Sequence, residues 1–260
     1  MKSPSTIKPT CQFWFLPLLA GGLSLLAPAA SVAEQPLTPH AQGEANANTP
    51  LRVHRTTPVE FPISLLHSGI TRGEAQVLVA IDPAGKVTDT LLAAYTREPF
   101  GDAALGAIRT WQYEAPRTNG EAVSAVVDIQ VRFEVGNILV IERSGTPQFS
   151  QNDTSNRFAY QPYELRALDS IPTPLTVTQP IYPKEWIAQG MHGKVTVDFY
   201  IDESGGVRMP SVVTSEYPLL AAAASTAVRT WHFAAPRRKG RPVLAHCQQV
   251  FTFEVEQAKP

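Results

Sequence analysis

The chain has 260 residues, of which 43% are hydrophobic and 17% charged, and a formal net charge of −1 at pH 7. That balance is ordinary for a globular protein and gives no electrostatic case for a nucleic acid or a strongly attracting membrane surface. The length suffices for a targeting segment and two small domains, each limited to a simple core of one sheet with helices on one face.

Lys2 and Lys8 flank the start of the chain, an apolar run occupies residues 13–30, and Ser31-Val32-Ala33 ends in a small-x-small pattern with no acidic residue before Glu34. Residues 1–33 therefore read as a signal peptide cleaved after Ala33, which implies export. The alternative is an uncleaved inner-membrane anchor, because about 18 apolar residues approach the minimum for a span. Pro17, Pro28 and Gly21-Gly22 count against it. Cleavage removes Cys11 and leaves Cys247, whose place on the apolar phase of a strand predicts an inert, buried small hydrophobe. Residues 34–57 are polar and proline-containing and read as a flexible leader.

From there one structural unit is written twice. A shift of 120 places Ile81-Asp82 on Ile201-Asp202, Gly85 on Gly205, and Arg109-Thr110-Trp111 on Arg229-Thr230-Trp231. Over 75–135 against 195–255, 20 of 61 positions are identical. Such a duplication predicts two copies of one fold, and it favours a docking module over a doubled catalytic centre. The first domain is expected over 58–143, a linker over 144–165 and the second domain over 166–257.

In each copy a short helix comes first, at 64–69 and 184–190. A strand follows, with Val195, Val197, Phe199 and Ile201 alternating against Lys194, Thr196, Asp198 and Tyr200. Asp82-Pro83-Ala84-Gly85 and Asp202-Glu203-Ser204-Gly205 are turn chemistry. The next strand begins at Val207 and carries Pro210, which suits a sheet edge or a bulge. A second helix then shows an apolar stripe at Phe100, Ala103, Ala104, Ala107, Ile108 and Trp111, matched by Leu220, Ala223, Ala224, Ala227, Val228 and Trp231. The last strand alternates again through Val127, Ile129, Val131 and Phe133.

The predicted fold class is thus α+β: two tandem α-β-β-α-β domains, each a three-stranded mixed sheet of order 2-1-3 with two helices on one face. In that order strand three is an edge. In the second copy residues 243–255 contain neither Pro nor Gly, so that edge is long and competent to pair. An unguarded edge aggregates or docks.

Tyr182-Pro183, Gly190 and Gly193, the run from Val195 to Gly205, Ala227-Val228-Arg229 with Trp231 and Phe233, Pro236, Gly240, Pro242-Val243 and Phe251 with Phe253 resemble, in order and spacing, the TonB C-terminal domain family. The first copy looks like a diverged member, with Phe61-Pro62 in place of Tyr-Pro. The resemblance implies a periplasmic domain that binds an extended segment of an outer-membrane receptor, the TonB box, as an added strand. The implied peptide-binding residues are Val243, Leu244, Ala245, His246, Gln248, Val250 and Thr252. Arg237, Arg238, Lys239 and Arg241 form a basic turn suited to steering an acidic segment. The chain departs from the family's full-length transducers in its cleavable segment, its short leader and its two domains, which separate strand binding from force transmission. The alternatives are an anchored energy transducer and a homodimerising structural module.

No catalysis is expected. His246 and Cys247 are strand neighbours and point to opposite faces, and no Ser/His/Asp spacing or phosphate loop occurs. No metal site and no cofactor are predicted. Trp111 and Trp231 read as core anchors. Residues 173–178, TPLTVT, loosely resemble a TonB box and read as a plain proline-rich linker, the alternative being a strand that occupies the free edge of the first copy or that of another molecule.

Overall fold

The computed structural model describes residues 48–145 and 157–254. The apolar N-terminal run, its cleavage pattern, most of the expected leader and residues 255–257 lie outside the described residues.

The first repeat runs β1 (Arg52–Arg55), α1 (Ile63–His67), β2 (Arg72–Ile81), β3 (Val87–Tyr95), α2 (Glu98–Ile108), β4 (Gln112–Glu114), β5 (Arg117–Thr118), β6 (Glu121–Ala122), β7 (Ala125–Glu134) and β8 (Asn137–Ser144). The second runs β9 (Tyr163–Glu164), a 3-10 turn (Leu165–Ala167), β10 (Pro174–Thr176), α3 (Lys184–Ala188), β11 (Gly193–Ile201), β12 (Val207–Ser215), α4 (Pro218–Arg229), β13 (His232–Phe233), β14 (Arg237–Arg238), β15 (Arg241–Pro242) and β16 (Ala245–Phe253). The main sheets have the orders β3-β2-β7-β8 and β12-β11-β16-β9. The predicted 2-1-3 order is present in both, and each sheet carries a fourth strand that the three-stranded expectation missed.

Local chemistry explains the shared elements. In both hairpins an aspartate closes the turn: Asp82 Oδ1 accepts the N–H groups of Ala84 and Lys86, and Asp202 Oδ1 those of Ser204 and Gly206, all at 2.9 Å. Both long helices carry proline in the first turn, where no intrahelical donor is lost. Their apolar stripes lie on the sheets. Phe100, Ala104 and Ile108 pack with Val77, Val79, Ile129 and Phe133 in one core. Leu220, Ala224 and Val228 pack with Val195, Val197, Phe199 and Phe251 in the other.

Two segments expected to be irregular are structured. Within the predicted leader, β1 pairs antiparallel with β4. Residues 173–178 supply β10, which pairs with β13 of its own repeat and leaves the edge of the first copy alone. The reason is the same in both copies. The Trp111 indole N–H donates to the Thr57 carbonyl at 2.9 Å, and that of Trp231 to the Thr178 carbonyl at 2.8 Å. A buried indole needs an acceptor, and this approach strand provides it. The tryptophans are core residues, as expected.

The repeats pack against each other through the sheet faces that the helices leave bare. β2 is apolar on both faces, and Leu78 and Ala80 join Leu91, Ala93 and Val126 against Tyr200, Met209 and Leu244. Leu78, Tyr200, Met209 and Leu244 are essentially inaccessible to solvent. At about 1.5–3 kcal/mol per fully buried large apolar side chain, this layer couples the two repeats strongly. Arg208 bridges them as well, donating from Nε to Asp89 Oδ2 at 2.8 Å and from its terminal nitrogen to the Thr90 carbonyl at 3.0 Å. Met209 reaches the layer from a bulge in β12, with φ of 52°. Pro210 sits in that bulge on the edge strand, as its missing donor requires.

Candidate functional site: the open edge of β16

β16 lies between β11 and β9. It pairs with β11 along its whole length, from Phe253 opposite Gly193 to Ala245 opposite Ile201. On its other side β9 pairs with it in parallel at two positions, Tyr163 with Ala245 and Glu164 with His246. Beyond His246 no further strand pairs on that side among the described residues.

The first repeat shows what such an edge accommodates. β8 folds back on β7 and pairs antiparallel with it from Val127 to Glu134. Gly136, with φ of 84°, makes the return; the corresponding position in the second repeat is Glu256. Shifted by 120, the β8 footprint is residues 247–254, the stretch that begins where β9 stops. The third strand of the first repeat is therefore not an edge, which corrects the expectation for that copy, while in the second copy no strand among the described residues pairs with that side beyond its first two residues.

Main-chain direction identifies the groups on offer. Successive residues of a strand aim their N–H and C=O groups to opposite sides. The Tyr163 N–H donates to the Leu244 carbonyl at 2.9 Å, as the Gly145 N–H donates to that of Val126 at the equivalent edge. Both acceptors are even-numbered, so in the open window the edge-facing groups belong to Gln248, Val250 and Thr252. Their side chains are exposed on the face away from the helices, whereas Cys247, Phe251 and Phe253 are buried in the core.

The predicted site residues divide accordingly. Gln248, Val250 and Thr252 lie together in the open window. Val243 and Leu244 precede the strand, and Leu244 is sealed between the repeats. Ala245 is buried in the core and His246 is partly buried, with Nε2 2.9 Å from Asp198 Oδ1. The first repeat covers the face on which Leu244 lies, a face that a single domain would leave to solvent. Cys247 is buried on the opposite face, where desolvation and the Asp198 charge push its thiol pKa up, so it stays a neutral thiol. Gln249, which the sequence reading passed over, is partly buried on the helix side and donates from Nε2 to the Val250 carbonyl at 2.8 Å. Its counterpart in the first repeat is Ile129. A polar residue at an apolar phase was the signal for it.

The basic turn is the β14–β15 hairpin, and its backbone and two of its arginines contact the protein's own chain. Lys239 and Gly240, both at positive φ, donate their N–H groups to the Asp169 carboxylate at 2.7 and 2.8 Å. These two hydrogen bonds hold the Asp169 pKa below the usual carboxylate range. Arg237 donates to the Gly240 carbonyl, and the Arg238 guanidinium stacks 4.2 Å from the centre of the Tyr163 ring. The hairpin thereby braces β9. In the first repeat Asn48 Oδ1 accepts the Asn119 N–H in the same way.

Among the described residues no group of three or more His, Cys, Asp or Glu side chains is arranged to hold a metal ion, and no helix is long and apolar enough to cross a membrane.

These features define a tandem α+β protein in which one copy is closed by its own strand and the other offers a backbone edge. The family model described as Gram-negative bacterial TonB protein C-terminal matches residues 57–135 and 178–255. The chain belongs to the TonB C-terminal family, with two copies of its domain. A solved structure, the solution NMR structure of the Pseudomonas aeruginosa TonB C-terminal domain, is similar at 28% identity with a TM-score of 0.32, over 37% of this chain and 96% of that one. No curated protein matches.

Proposed function

We propose that this is an exported, periplasmic, non-catalytic binding protein of TonB-dependent transport. It captures an extended segment of an outer-membrane receptor as an added strand on β16. The observation that carries the reading is the difference between the copies: β8 occupies residues 127–134 of the first, and residues 247–253 of β16 have no such occupant among the described residues. Main-chain bonds to Gln248, Val250 and Thr252 supply affinity, and the exposed side chains of those residues supply selectivity. The family's association with outer-membrane receptors gives the class of partner.

The test is a titration of isotopically labelled protein, residues 34–260, with synthetic TonB-box peptides, followed by amide shifts. Saturable shifts at Gln248, Val250 and Thr252, with those of β7 unmoved, are expected. Shifts confined to other surfaces, or none at millimolar peptide, would overturn the reading. Light scattering on the same samples separates peptide capture from pairing of two copies through this edge.

A further inference from the structure

An unpaired edge carbonyl normally turns to water or to a neighbouring chain. At the centre of the window the Val250 carbonyl has a partner from its own chain: it accepts the carboxamide N–H of Gln249 at 2.8 Å. The carbonyl faces the edge, on the alternation set by Leu244 and Tyr163. Gln249 therefore stands where the N–H of an added strand would be. At the equivalent place in the first repeat, Ile129 has no polar group, and the edge there is already filled by β8, with Glu142 opposite Ile129. A side-chain cap accompanies the open edge and is absent from the closed one.

We infer that Gln249 is a gate on the β16 edge: its carboxamide caps the Val250 carbonyl in the unliganded protein, and a strand binds by displacing it. The cap discourages pairing between copies, and it sets a threshold that a ligand must exceed. A weakly paired segment leaves Gln249 in place; one that bonds at Gln248, Val250 and Thr252 together displaces it. This inference rests on the strand-addition reading for the ligand but not for the cap, which exists without any ligand.

The experiment compares wild type with Gln249→Ile, the residue of the first repeat, and Gln249→Ala, which removes the cap without adding apolar bulk. Circular dichroism first establishes that each variant is folded. A neutral hydrogen bond contributes about 0.5–1.5 kcal/mol net, so both variants should bind a TonB-box peptide about two- to ten-fold more tightly. Both should also self-associate at roughly ten-fold lower protein concentration in sedimentation velocity. In unliganded wild type one Gln249 side-chain amide proton should exchange slowly with solvent and lose that protection on saturation. Equal peptide affinity in all three proteins, with Gln249 still protected in the complex, would overturn the gate and leave strand addition standing. If no peptide binds any of them, strand addition fails and the gate is judged on the other two readouts: unchanged self-association with a freely exchanging Gln249 amide would overturn it too.

Discussion

At the scale of single residues, the duplication supplies its own controls. Gly205, at φ of 95°, sits where an added Cβ would fall 1.9 Å from the Phe233 carbonyl oxygen, and Gly85, at φ of 81°, would place one 2.5 Å from that of Tyr113. Backbone cannot move aside as a side chain can, so Gly205→Ala and Gly85→Ala should each cost more than about 1 kcal/mol in urea unfolding. Gly205→Ala should be the worse of the two. Asp128 makes a pH-dependent case. It lies in the buried layer between the sheets, accepting Gln76 Nε2 at 2.8 Å on both oxygens, and desolvation raises its pKa despite that bond and the charge of Arg143. A raised folded-state pKa means a contribution present below the unfolded value, about 3.9, and lost as pH rises through the folded one. Asp128→Asn should therefore melt at a higher temperature than wild type at pH 7, with the difference shrinking as the pH approaches 4. The shared glycines and aspartates of the hairpins were legible in the sequence because turns are local. Gln249 and Asp128 were not, since their roles depend on which faces and edges the rest of the molecule covers.

At the scale of elements, β8 decides how many edges are open. It was missed because residues 137–144 do not alternate, four consecutive apolar residues being followed by charged ones, although Gly136 directly after an alternating run is a turn signal. Even-numbered residues of β7 face β8, so its odd-numbered residues donate to the ladder. Leu139→Pro with Ile141→Pro should remove two of those donors and peel the strand away. Calorimetry with TonB-box peptide should then read two sites per molecule in place of one; an unchanged count would show that β7 cannot accept a strand. The β14–β15 hairpin belongs to the same scale. Its sequence suggested steering; Arg238 lies on Tyr163 and Arg237 bonds to a carbonyl of its own turn, contacts that leave both charges in place. Association with an acidic peptide should therefore slow by more than about three-fold in rate between 50 and 300 mM salt, whereas a flat salt dependence would exclude long-range attraction.

At the scale of the whole molecule, the sequence alone left open whether the repeats pack together or hang independently, because periodicity reports one buried face per strand and the helices account for it. The run Val77-Leu78-Val79-Ala80-Ile81 is apolar on both faces and carried the missing information. With Tyr200, Met209 and Leu244 closed against it, the described residues of the two repeats should unfold in one transition. Leu244→Asp puts a charge into that layer and should split the calorimetric melt in two while each repeat keeps its own core. A single transition in that variant would mean that the bulge at Met209 and the Arg208–Asp89 bridge suffice for coupling.

The glycine return at residue 136 has a wider implication. Duplicated modules usually raise valency, yet here one twin fills its own edge with β8. Transplanting residues 136–144 to follow Val255 would make both twins alike, and the resulting molecule, sound in every core, should be deaf to any receptor tail.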